Sequence, residues 1–152
     1  MNACLRRLGL LLLLAASGCV QAQDAAPAAD APLVASDAWI RTPPPGSPVM
    51  AGYVTLRNDG VREVRFAKLR SDAFGAIEIH EMRDSGGMMR MRPVPELVIQ
   101  PGDTETLAPG GLHLMLFRPT RELADGTKVT IDLLIEDGAP MPVEFELRAD
   151  AP

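Results

Sequence analysis

Residues 109–117 read Pro-Gly-Gly-Leu-His-Leu-Met-Leu-Phe. A glycine turn is followed by six residues in strict alternation, the signature of a strand with two unlike faces. Leu112, Leu114 and Leu116 form the apolar face. His113, Met115 and Phe117 form the other. The leucines are the natural core set, so His113 and Met115 are expected to point away from the main core.

The stretch Ala76–Met82 repeats the pattern. Ile77 and Ile79 share one face, and Glu78, His80 and Met82 share the opposite one. The remaining extended segments are short. They are Ala38–Arg41, Met50–Arg57, Val64–Leu69, Met88–Arg92, Leu97–Ile99, Thr104–Leu107, Lys128–Ile135 and Val143–Arg148. Asn58-Asp59-Gly60, Gly86-Gly87, Pro101-Gly102, Pro109-Gly110-Gly111 and Ala124-Asp125-Gly126 divide them, together with the proline run Pro43-Pro44-Pro45. Many short strands at close spacing with Gly and Pro turns predict an all-β Greek-key sandwich or barrel. Thr120–Ala124 is the one stretch expected to form a helical turn. There is no internal repeat and no sign of a second domain.

The N-terminus has a different composition. Residues 1–22 have the form of an export signal, with Arg6 and Arg7 ahead of the apolar run Leu8–Ala16, which is too short to span a bilayer and stay there. Val20-Gln21-Ala22 is a small-x-small cleavage site, whereas Ala16-Ser17-Gly18-Cys19 resembles a lipobox that would leave Cys19 lipidated. Both readings place the protein outside the cytoplasm, in the periplasm, with membrane anchoring only through Cys19. Residues 23–32, QDAAPAADAP, read as a disordered Ala/Pro linker, and residues 33–150 as the domain.

Composition narrows the function classes. The two cysteines, Cys4 and Cys19, lie in the signal, so the domain has no disulfide, no thiolate nucleophile and no thiolate metal ligand. Setting Arg6 and Arg7 aside from the 15 basic residues leaves 13 against 20 acidic ones. That balance, with no basic cluster, argues against nucleic acid as a partner. No Ser/His/Asp order, phosphate loop or carboxylate pair suggests catalysis. The protein is read as a carrier and not as an enzyme.

The residues from His80 to Met115 carry the chemistry. This span holds both histidines of the chain and five of its eight methionines, namely Met82, Met88, Met89, Met91 and Met115. Imidazole nitrogen and thioether sulfur suit a soft, singly charged copper ion. A set of neutral donors disfavours Cu(II) relative to Cu(I). The missing thiolate excludes a blue-copper centre, and thioethers are poor zinc ligands. Met50 and Met141 read as core filler. Met82, Met88 and Met89 could pack, form a flexible route for copper, or serve as auxiliary ligands. Glu78, Glu81 and Asp84 read as solvated or supporting groups.

The spacing His80-x10-Met91-x21-His113-x-Met115 resembles the motif of the PCuAC family of periplasmic copper chaperones. DAWIRTPPPG, HEMRDSGGMMRMRPV and PGGLHLML resemble three of that family's segments, and the likeness extends over roughly residues 36–148. The resemblance implies a cupredoxin-like sandwich that binds one Cu(I) near the surface through His80, Met91, His113 and Met115. It further implies delivery of copper to the CuA site of cytochrome c oxidase, with a second periplasmic copper chaperone as a possible partner. Some relatives carry a His/Met-rich tail for Cu(II), whereas this chain ends RADAP. The competing readings are a copper-buffering or resistance protein and a non-metal β-sandwich interaction module.

Overall fold

The computed structural model describes residues 33–149, apart from residues 45 and 137. The expected export signal and Ala/Pro linker lie outside the described residues. Ten strands follow in chain order: β1 (Leu33–Arg41), β2 (Val49–Asn58), β3 (Val64–Arg70), β4 (Phe74–Asp84), β5 (Met89–Pro93), β6 (Leu97–Ile99), β7 (Thr104–Leu107), β8 (Leu112–Pro119), β9 (Lys128–Ile135) and β10 (Met141–Arg148). The hydrogen-bonded order is β5-β4-β8-β2-β1-β10-β9-β3-β6. β7 pairs with β2 off this path.

β1 joins the two halves of this order. It pairs antiparallel with β2 and, over Trp39–Arg41, parallel with β10. A bulge between Ser36 and Trp39 shifts its register, with Asp37 at φ 51. Such a bulge bends a strand and re-aims the residues beyond it, which lets the second half of β1 serve a new neighbour. β2 is shared in the same way. Val49–Gly52 pair with β8 and Val54–Arg57 with β7.

The sheet folds over on itself. β3 and β4 are far apart in the strand order yet lie in contact. Every strand except β5 sends side chains into one core, including Ile40, Leu56, Phe66, Leu116, Ile131, Phe145 and Leu147. Burying each of these contributes about 1.5–3 kcal/mol before the entropy of ordering is counted. The all-β sandwich expectation is met. β5 lies outside that core and forms one edge of the sheet.

Thr120–Ala124 forms no helical turn, and no helix occurs among the described residues. The backbone there is used otherwise. Thr120 N donates to the Ala73 carbonyl, Thr120 Oγ1 donates to the Asp72 carbonyl, and Leu123 is buried. These contacts fix the start of the segment against the β3–β4 connection.

Candidate metal centre

Register decides which side chains meet. β4 and β8 set His80 opposite His113 and Glu78 opposite Met115. β4 and β5 set Met82 opposite Met91 and His80 opposite Pro93. Directly paired residues of antiparallel strands project to the same side. His80, Met82, Met91, His113 and Met115 therefore share one face of β5-β4-β8. The other face sends Ile79, Leu114 and Leu116 into the core. Met91, which has no alternation of its own to place it, is brought to this face by the β4–β5 hairpin. Gly86 and Gly87, at φ 70 and 83, make that hairpin's turn in a region glycine adopts without strain.

Met82 has the same standing. It lies directly opposite Met91 and two residues from His80, about 7 Å along the strand. Met89 shares the face at the hairpin end, opposite Asp84. Met88 stands before β5 begins, its carbonyl accepting from Ser85 N across the turn.

Depth is uneven across this face. His113 is only 5% exposed, and the His80 side chain 13%. β8 is flanked by β4 and β2, and the Phe117 ring lies 6.4 Å from that of His80. Met82 and Met115 are half-buried, Met91 is 46% exposed, and Met88 and Met89 are more open still. The imidazoles thus form a floor and the thioethers a rim. Solvent and any partner reach the methionines first.

The hydrogen bonds fix how the rings present themselves. His113 Nδ1 lies 3.0 Å from the Gly111 carbonyl. A carbonyl oxygen only accepts, so Nδ1 carries the proton and Nε2 keeps its lone pair. The same carbonyl accepts from Met82 N at 3.2 Å, tying the ring to the β4 backbone. His80 Nε2 lies 2.9 Å from Glu78 Oε2. His80 Nδ1 is buried and has no hydrogen-bond partner.

That orphaned nitrogen is the feature most telling for a metal. A buried polar atom without a partner costs about 1–3 kcal/mol, and an ion accepting its lone pair relieves the cost. The histidine rings lie 6.2 Å apart between centroids, tilted by 44°. Two imidazoles with thioethers on the same face are a donor set for a soft monovalent ion. No group of three or more His, Cys, Asp or Glu side chains among the described residues is arranged to hold a metal. The residues present therefore fit Cu(I) better than a hard divalent ion.

Trp39 and Tyr53 stand beside this region on β1 and β2, a placement that comes from strand pairing. Tyr53 is on the same side of β2 as Ala51, which pairs with Met115, and Trp39 pairs with Tyr53. Their rings are 4.6 Å apart, and the Arg41 guanidinium sits 5.7 Å and 6.0 Å from the two centroids. Both rings are buried. The alternation Val49, Ala51, Tyr53 against Met50, Gly52, Val54 was the available signal. An open polar pocket lined by Arg121, Lys128 and Thr130, among others, contains none of the four candidate ligands.

Comparison with known proteins fits this architecture. Residues 33–147 match the LpqE-like family, which is named as a lipoprotein family. Lxx21020 of Leifsonia xyli subsp. xyli, also named as a lipoprotein, is 30% identical over 143 residues, covering 90% of this chain and 84% of its own. The solution structure of Cu(I)-DR1885 from Deinococcus radiodurans is 29% identical and superposes with a TM-score of 0.65, covering 85% of this chain and 86% of that one. The copper-bound PCuAC domain of PmoF2 has 19% identity and a TM-score of 0.66, covering 78% and 94%, a likeness of fold. The chain belongs to the LpqE-like family and has the fold of the PCuAC domains.

Proposed function

We propose that this protein is an exported copper chaperone. It binds one Cu(I) through His80, Met91, His113 and Met115 and delivers it by ligand exchange. The buried, unpartnered Nδ1 of His80, on a residue paired directly with His113, whose Nε2 keeps its lone pair, carries the reading. The thioethers on the same face complete the donor set, and the 29% identity to a protein solved in a Cu(I) form supports it.

The burial gradient suggests the order of transfer. Met91, the most exposed of the four, is the first ligand an incoming acceptor thiolate or imidazole can displace. The histidines hold the ion until the acceptor has made its own bonds. The acceptor is proposed to be the CuA site of cytochrome c oxidase, directly or through a second periplasmic copper chaperone. The lipoprotein names of the family and of the Leifsonia relative support anchoring through Cys19, which would keep the carrier near a membrane-bound acceptor.

Competition with a Cu(I) chelator tests the site. Wild type should hold Cu(I) more tightly than His113→Ala and Met91→Ala, and equal weak affinity in all three would sink the proposal. The depth of His113 favours one other reading, a copper buffer that releases slowly. Transfer to an apo-CuA domain faster than release to a small chelator identifies a carrier, and the reverse identifies a sink.

A further inference from the structure

We infer that the two histidines bind copper through unlike nitrogens, His80 through Nδ1 and His113 through Nε2, and that Glu78 is the positioning residue that enforces this. The inference rests on the copper reading above and refines it.

Glu78 and His80 are two residues apart on the same face of β4, with the carboxylate 2.9 Å from Nε2. An ionised carboxylate only accepts, so Nε2 carries the proton and the lone pair is left on Nδ1. Nδ1 is the nitrogen that is buried and without a partner. On the facing strand the wiring is inverted, because His113 gives its Nδ1 proton to the Gly111 carbonyl. One ring is held from its far nitrogen and the other from its near one. A pair directly opposite on neighbouring strands can thereby aim two lone pairs into the same space without a shift in register.

Glu78 also bears on charge. Two imidazoles and two thioethers leave the positive charge of Cu(I) uncompensated. A carboxylate hydrogen-bonded to one imidazole supplies negative charge without becoming a ligand, and it strengthens that imidazole as a donor. Glu78 suits this role because its side chain is 55% exposed. Its charge stays hydrated while its hydrogen bond reaches inward.

Long-range 1H–15N correlation spectra of the apo and Cu(I)-loaded protein test this, with Glu78→Ala and Glu78→Gln alongside. The apo wild type should show His80 protonated on Nε2, and copper should shift His80 Nδ1 and His113 Nε2. Glu78→Ala should give mixed tautomers at His80 and about tenfold weaker Cu(I) binding, the low end for losing a partner of a metal-bound histidine. Glu78→Gln, whose amide oxygen still accepts but carries no charge, should keep the tautomer and bind Cu(I) with an affinity between wild type and Glu78→Ala. A copper shift on His80 Nε2, or an unchanged tautomer in Glu78→Ala, would overturn the inference. A wild type with no copper shift at either ring would instead overturn the copper reading itself, while the apo spectra would still decide whether Glu78 holds His80.

Discussion

His80 and His113 face each other across β4 and β8, and they are wired oppositely, His80 through Nε2 to Glu78 and His113 through Nδ1 to Gly111. The arrangement leaves a buried nitrogen without a partner in the protein alone. Natural proteins commonly accept such a local cost where function needs it.

Removing that cost should stabilise the apo protein. His80→Phe replaces the imidazole with an apolar ring beside Phe117 and takes away the orphaned nitrogen. The expected outcome is a gain of about 1 kcal/mol in denaturant unfolding, together with loss of Cu(I) binding. A variant less stable than wild type would show that His80 Nδ1 is satisfied in solution.

The face shared by Met82 and Met91 predicts substitution of one thioether for the other. In Met91→Ala, Cu(I) affinity should fall at least tenfold, or about 1.4 kcal/mol. X-ray absorption should nonetheless still count two sulfur ligands, because Met82 stands directly opposite Met91 and can move in. The double variant Met82→Ala/Met91→Ala should show one sulfur. A single sulfur already in Met91→Ala would confine Met82 to packing.

Alternation and turn residues made the strands legible, and most segment bounds moved by only a few residues. The first strand is the exception. Its opening half, Leu33–Asp37, does not alternate cleanly because the bulge at Asp37 resets which face each residue takes. Parity named the side on which His80, His113 and Met115 project. It could not give depth, since the burial of His113 depends on β4 and β2 flanking β8, a long-range order that no local pattern encodes. The face of Met91 likewise needed the β4–β5 register. The helical turn expected at Thr120–Ala124 fails because tertiary hydrogen bonds to the Asp72 and Ala73 carbonyls outweigh a weak local preference.

Asn58 shows the same limit, since the turn Asn58-Asp59-Gly60 does not reveal that its first residue is fully buried. Its Nδ2 donates to the Arg62 and Ile99 carbonyls, and its Oδ1 accepts from Gly60 N. Asn58→Ala leaves buried backbone groups without partners and should destabilise the domain by about 3 kcal/mol. Denaturant unfolding measures this directly. Copper affinity should be unchanged once the protein is folded, because Asn58 lies on β2 outside the ligand-bearing strands.

Metal selectivity gives the most discriminating solution test. A ligand that binds only the folded state stabilises it by RT ln(1 + [L]/Kd), about 2.7 kcal/mol at a free concentration 100 times Kd. Cu(I), supplied under reducing conditions from a weak chelator, should raise the melting temperature of the wild type, and His113→Ala should abolish the rise. Zn(II) should not reproduce it. Zinc needs about four N, O or S− donors, and no group of three His, Cys, Asp or Glu side chains is available among the described residues. Thioethers on the rim can satisfy a soft monovalent ion but not zinc. An equal rise with Zn(II) would mean that carboxylates such as Glu78 swing in as ligands, and the neutral His/Met donor set would then have to be abandoned.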